Sequence, residues 1–444
     1  MNRYTTAIAV ALLLLATVAI VPAQAAPAPV TPAFDVKAAT DAYLNSVPPA
    51  DRARSDAYFE GGYWLILWDF LLGAVIALAL LFTRISASMR GFAERATRFK
   101  PLQTFLYWVQ YFILTTIVSL PLSIYEGFSR ERKYGLMNQT FKAWSAEQLI
   151  MLVVSVVLGG LLVMALFGVV RRFPNTWSVW ATVVSIIFIM FTALIGPVYI
   201  APLFNKYTKL QNEKVRAPIL SLARANGVPA TEVWEVDASK QSKRVSANVS
   251  GFLGTERITL NDNLLNRCSL EEIESVMGHE MGHYVLNHVY KGILFFGLEA
   301  LIFFAFLRWA LQWSLARWGE RWGIRDLGDP AVLPLAMLIA SIFFFVLTPV
   351  NNTYTRTQEY EADIFGLNAA GQPDGEAKVD LMLGEYRKLD PGPIEEFIFF
   401  DHPSGRTRIT AAMRYKAEHL KPVEVVIPAQ PLSAPEPHPT GAPK

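Results

Sequence analysis

"ESVMGHEMGHYVLNHV", residues 274–289, sets two histidines four positions apart around a glutamate. On a helix, His279 and His283 project from one face about a turn apart, close enough for both imidazoles to reach one tetrahedral ion. Glu280 lies at the edge of that pair, where it can take a proton from an attacking water without ligating the metal. Ser269, with Glu272 three residues on, marks the start of the helix as a capping box. The competing reading of the pair is two surface histidines on an amphipathic helix.

A zinc site of this kind needs a third protein ligand, and the extended pattern H-E-x-x-H-x-x-G-x-x-H does not supply it. Leu286 and Val289 stand where that pattern has Gly and His, and His288 misses by one residue. A distant carboxylate is therefore expected. "NNTYTRTQEYEADIFGL" (351–367) offers Glu359, Glu361 and Asp363. Glu359 and Asp363 share a helical face and Glu361 points elsewhere. Glu359 is assigned as the third ligand, with Asp363 orienting a ligating histidine through its other ring nitrogen. His402, in a loop restrained by Pro403, is a candidate donor to the oxyanion of a tetrahedral intermediate.

The setting of these residues is a membrane. The chain has 444 residues, 52% of them hydrophobic and only 18% charged, against about 25% charge in an ordinary soluble domain. A net charge of +2 is too small and too dispersed for a nucleic-acid partner. The single cysteine, Cys268, excludes an internal disulfide and a cysteine-based zinc cage.

Residues 1–25 read as a secretory signal ending at Ala23-Gln24-Ala25, with an uncleaved first membrane helix as the alternative. Residues 26–57 read as an exported linker. Six apolar stretches long enough to span follow, at about 63–82, 104–124, 149–170, 177–200, 293–313 and 332–350. They divide the chain into membrane helices over 58–203 and 291–350 and two polar blocks, 204–290 and 351–420. A Pro-rich tail, 421–444, is expected to be disordered. Within the first polar block an amphipathic helix over 213–225 ends at Asn226-Gly227. Strands at 232–237, around 247–253 and at 257–262 predict a short antiparallel sheet, with Gly251 and Gly254 at a bulge or turn.

Taken together the blocks "PLFNKYTKL" (202–210), "SANVSGFLGTERITLNDNLL" (246–265), "GHEMGHYVLNH" (278–288), "TRTQEYEAD" (355–363) and "HPSGRTRI" (402–409) resemble the type I CAAX prenyl endopeptidases. These are membrane-embedded zinc metalloproteases of the gluzincin class, and the resemblance covers roughly residues 58–420. It implies one zinc per chain on His279, His283 and Glu359, with Glu280 as general base and Asp363 beside the ligands. It implies His402 and Arg408 as transition-state or substrate-backbone contacts, and Asn248 on a strand that pairs with the peptide. It also implies a mainly α, polytopic membrane barrel of helices enclosing a chamber through which a peptide or protein substrate arrives.

The first helix of that family is a true span, whereas its counterpart here reads as a cleavable signal, leaving six or seven spans. Export of 26–57 would put Arg84, Arg90, Arg95, Arg98 and Lys100 on the cytoplasmic side, followed by Arg171/Arg172 and Arg317/Arg321/Arg325, and would turn the catalytic block outward. The expected function is a zinc endopeptidase acting on membrane-associated or exported proteins in a bacterial cell membrane. The alternative is a non-catalytic chaperone or receptor on the same scaffold.

Overall fold

The computed structural model describes residues 34–250 and 257–419. The expected signal segment 1–25, the glycines Gly251 and Gly254 and the Pro-rich tail lie outside the described residues.

Six helices among the described residues are long and apolar enough to cross a bilayer. They are α2 (Pro49–Phe82), α4 (Lys100–Ile124, continuing through a π-turn to Lys133), α5 (Phe141–Arg172), α6 (Trp177–Ile195, continuing to Leu203), α10 (His288–Trp322) and α11 (Leu333–Ala370). Their outward faces are apolar, as lipid requires: Trp64, Val153, Ile187 and Leu294 are all more than half exposed. Two further helices precede the second span, α1 (Val36–Asn45) and α3 (Ile85–Ala96).

The expected linker is corrected by α1 and the first turns of α2. Residues 49–62 are too polar to read as a span, yet they are helical, because Pro49 opens the helix and tertiary contacts hold it. Tyr63 Oη donates to Glu395 Oε1 at 2.8 Å and its ring stacks on Phe399, while Phe59 packs on Phe400. Leu44 of α1, 2% exposed, joins a core with Ile409 and Met413. The segment is thus part of the folded polar region.

The first polar block contains β1 (Tyr207–Lys209), α7 (Glu213–Ala225), β2 (Val233–Val236), β3 (Ala247–Ser250), β4 (Arg257–Asn261), α8 (Asp262–Arg267) and α9 (Leu270–Val285). The sheet order is β1-β2-β4-β3, with β1–β2 and β3–β4 antiparallel and β2–β4 parallel. The expectation of a wholly antiparallel sheet is therefore corrected. Alternation of side chains reports which face is buried, not which neighbour is paired, and the chain between β2 and β4 is long enough to place β3 outside β4. Ile258 and Leu260 point into a core with Ile219, Met277 and Met281, so the sheet backs directly onto α9.

After α11 come α12 (Pro373–Leu383), α13 (Pro393–Phe399) and α14 (Gly405–His419). The end of the helices where α2 passes into α3 and α10 into α11 is an arginine cluster. Arg90 pairs with Asp329 at 2.5 Å, Arg325 with Glu94 at 2.6 Å, Arg84 donates to the Arg321 carbonyl at 2.8 Å, and Arg171 to the Gly328 carbonyl at 2.9 Å. The start of α2, the start of α10 and the end of α11 lie at the opposite end, with the polar blocks.

Candidate metal centre and active site

Helix α9 begins with the expected capping box: Glu272 N donates to Ser269 Oγ and Ser269 N to Glu272 Oε2 at 2.8 Å. The helix is buried on one face, and what lets it carry ligands to a partner is its lack of side-chain bulk. A Cβ added to Gly278 would come within 2.9 Å of the Gly366 carbonyl, and one on Gly366 within 2.7 Å of the His279 nitrogen. Gly282 lies equally close over Ala362. Backbone-to-backbone contact of α9 with α11 brings His279 and His283 against Glu359.

The three side chains converge, the glutamate presenting one oxygen to each histidine. His279 Nε2 is 3.0 Å from His283 Nε2 and 3.2 Å from Glu359 Oε2, and His283 Nε2 is 3.5 Å from Glu359 Oε1. Tetrahedral coordination with zinc–nitrogen bonds of about 2.0 Å separates neighbouring donors by roughly 3.3 Å. These side chains are the metal-compatible group among the described residues, and they fit zinc in number, type and spacing.

Each histidine is held from behind. His279 Nδ1 donates to Asp363 Oδ1 at 2.7 Å, and Asp363 Oδ2 accepts from Arg408 Nε at 2.9 Å. Burial pulls the His279 pKa down, but Asp363 and Glu359 outweigh it and raise the group to about 10, the signature of a pocket that favours positive charge. His283 Nδ1 lies 2.9 Å from His288 Nδ1, and His288 Nε2 is 3.2 Å from Glu361 Oε2, itself paired with Lys291 at 2.7 Å. His288 and Glu361, which spacing excluded as ligands, thus meet beside the second histidine. The cause is a chain reversal at Asn287, whose φ of 59° ends α9 and starts α10. A left-handed asparagine in "YVLNHV" is the signal that was available.

Arg408 lines the cleft with His279, Glu280, Glu359 and His402. Only 7% exposed, it is enclosed by Asp363, Glu376 and Asp380, with its Nη1 3.1 Å from Asp380 Oδ1. Its contacts are with the carboxylates behind His279. Burial pushes the Asp380 carboxyl well above the ordinary range despite this arginine. Glu376 and Asp380, on the short α12, had no periodic motif to mark them.

Glu280 lines the cleft with His279, Glu359 and His402 and has no hydrogen-bond or ion-pair partner among the described residues. Burial raises its pKa, opposed by His279 and His283. His402 Nδ1 faces Asp401 Oδ1 at 2.8 Å, which directs Nε2 to within 3.2 Å of Glu359 Oε2. Val245, Ser246 and Ala247 form the opposite wall of the cleft. Strand β3 is an edge of the sheet, bonded only to β4, and Asn248 is an exposed residue on it.

Fold and cleft together define a membrane-embedded metallopeptidase. Residues 209–416 match the model of peptidase family M48, and residues 37–206 match that of the CAAX prenyl protease N-terminal region of five membrane helices. The chain is 30% identical over 366 residues to the Bacillus subtilis "Uncharacterized metalloprotease YhfN", covering 82% of this chain and 86% of that one. It is 28% identical to CAAX prenyl protease 1 of Saccharomyces cerevisiae over 69% of this chain and 71% of the yeast protein. The crystal structure of S. mikatae Ste24p superposes with a TM-score of 0.73 at 20% identity, over 91% of this chain and 97% of that one. The chain belongs to the M48 metallopeptidases, in the group that carries CAAX prenyl protease membrane helices.

Proposed function

We propose that His279, His283 and Glu359 hold one zinc ion per chain, and that the protein is an endopeptidase of membrane-associated or exported proteins in a bacterial cell membrane. The observation that carries the metal assignment is the convergence of His279, His283 and Glu359, with nitrogen–nitrogen and nitrogen–oxygen distances of 3.0, 3.2 and 3.5 Å, on two helices in backbone contact. Zinc, when bound, supplies Lewis-acid activation of water and of the scissile carbonyl. Glu280 takes the proton of the attacking water and passes it to the leaving amine. Asp363 fixes His279 with Nε2 free to ligate, and Arg408 holds Asp363 in place. Strand β3, with Asn248, offers its unpaired edge to an extended peptide. The peptide reaches the cleft through a chamber between the membrane helices. The Bacillus relative supports the bacterial setting.

His402 is the oxyanion donor in this reading. His402→Ala is expected to lower kcat by roughly 10²-fold with little change in zinc content, since such donors act on the transition state. Loss of metal in the purified variant would instead make His402 a ligand or its support.

The active site faces outward. This rests on the arginine cluster of Arg84, Arg90, Arg171 and Arg325 at the helix ends opposite the cleft, which the positive-inside rule retains in the cytoplasm. A cysteine at Lys240, whose side chain is 45% exposed, should react with a membrane-impermeant maleimide in intact spheroplasts, in a Cys268→Ser background. Labelling of Arg95→Cys instead, with Lys240→Cys protected until the membrane is permeabilised, would reverse the orientation.

A further inference from the structure

Among the described residues, the cations around the cleft are, with one exception, committed to partners within the protein. Arg408 is enclosed by three carboxylates, Arg244 pairs with Glu131 at 2.8 Å, and Lys388 is bound by Glu60 at 2.6 Å and Glu395 at 2.8 Å. His402 lies between Asp401 and Glu359. The exception is Arg387, which makes no side-chain hydrogen bond or ion pair among the described residues.

Arg387 lines the same cleft as His279, Glu280, Glu359 and His402, and also the adjoining recess, where Phe59 and Phe400 stand beside Asp380, Lys388 and Asp401. Arg387 therefore stands at the junction of the reacting groups and a side space of mixed apolar and charged lining. The backbone beneath it is anchored: Arg387 N donates to the Leu383 carbonyl at 3.0 Å, and its own carbonyl accepts from Ser55 Oγ at 3.1 Å. The chain anchors the backbone here and gives the guanidinium no hydrogen-bonded carboxylate among the described residues. Asp401 and Asp380 feel its charge through space, and both already face other groups, His402 and Arg408.

A planar guanidinium with two N–H edges free is matched to a carboxylate, which it binds bidentately in a way an ammonium cannot. We infer that Arg387 binds a carboxylate of the peptide substrate and so sets where along the peptide cleavage falls. This rests on the endopeptidase reading above and names the group on the substrate that the cleft reads. Two sources share that chemistry, the peptide's terminal carboxylate and an Asp or Glu side chain. The first makes the enzyme measure from the C-terminus; the second makes it read an internal acidic residue.

The test uses the zinc-loaded, detergent-solubilised full chain and matched fluorogenic peptides. One pair differs only in a free acid or an amide at the C-terminus, and further pairs only in Glu or Gln at successive positions. In the parent protein one of these pairs should show a kcat/KM preference for the carboxylate of roughly tenfold or more, the scale of a charge-assisted contact. Arg387→Gln should collapse that ratio through KM, and Arg387→Lys should retain part of it. The pair that responds identifies the source.

Absence of any carboxylate preference in the parent, or an undiminished ratio in Arg387→Gln, overturns the assignment. Anisotropy of the same labelled peptides on Glu280→Gln protein reads the acid-to-neutral ratio of binding without turnover. A failure of the peptidase reading is thereby separated from a failure of this one, because carboxylate selection is measured even where no bond is cut.

Discussion

Glu280→Gln is expected to keep its zinc and to lose peptide hydrolysis by roughly 10²-fold or more, the scale of a missing general base. The substitution preserves shape while replacing a basic carboxylate with an amide that cannot take up the proton. The expectation is sharp because Glu280 lines the cleft beside His279 and makes no hydrogen bond or ion pair among the described residues, so no structural contact is lost with the charge. Burial raises its pKa, and His279 and His283 oppose that rise. Turnover of a quenched peptide and zinc content are measured on the same preparation. Unimpaired hydrolysis would reject the assigned role.

The second large effect is on the metal itself. The purified protein should carry about one zinc per chain, and His279→Ala or Glu359→Ala should lose most of it on dialysis against a mild chelator. Glu359 is the more demanding test because it is contributed from another helix, 80 residues further along the chain. Asp363→Ala should be intermediate, weakening zinc by roughly 10–100-fold as partners behind a ligand do. That variant also leaves the buried Arg408 with one carboxylate fewer, so a lowered thermal midpoint is expected with it. Full zinc occupancy in Glu359→Ala would sink the ligand set.

What could be read from the residues alone follows from how local each signal is. The histidine pair, Glu280 and the Glu359/Asp363 face all depend on the 3.6-residue helical period, and the helices are where the period places them. Six apolar stretches were legible because lipid imposes length and composition together. The polar first turns of α2 were not, since their helicity depends on Phe59 and Tyr63 meeting Phe400, Phe399 and Glu395, residues more than 300 positions away. Parallel pairing of β2 with β4 was hidden for a related reason, as strand periodicity carries no record of neighbours. Gly278, Gly282 and Gly366 were a signal passed over. Small residues four apart on the motif helix, with a glycine on the carboxylate helix, announce a close crossing, and that crossing brings the donors together.

Helix α11 runs unbroken from Leu333 to Ala370, through Pro349. At 38 residues it is a rod about 57 Å long, well beyond the ~30 Å of hydrocarbon it crosses. Pro349, which has no amide hydrogen to give the helix, stands between the apolar part and the segment that carries Glu359, and that segment is bound to the histidine helix by the backbone contacts of Gly366 and Ala362. Because Gly278 and Gly282 pack backbone to backbone on that segment, the histidine pair travels with Glu359, and a bilayer of different thickness tilts the three ligands together. Acyl-chain length in reconstituted vesicles is therefore expected to change the tilt of α11 while leaving the zinc content of the protein unchanged.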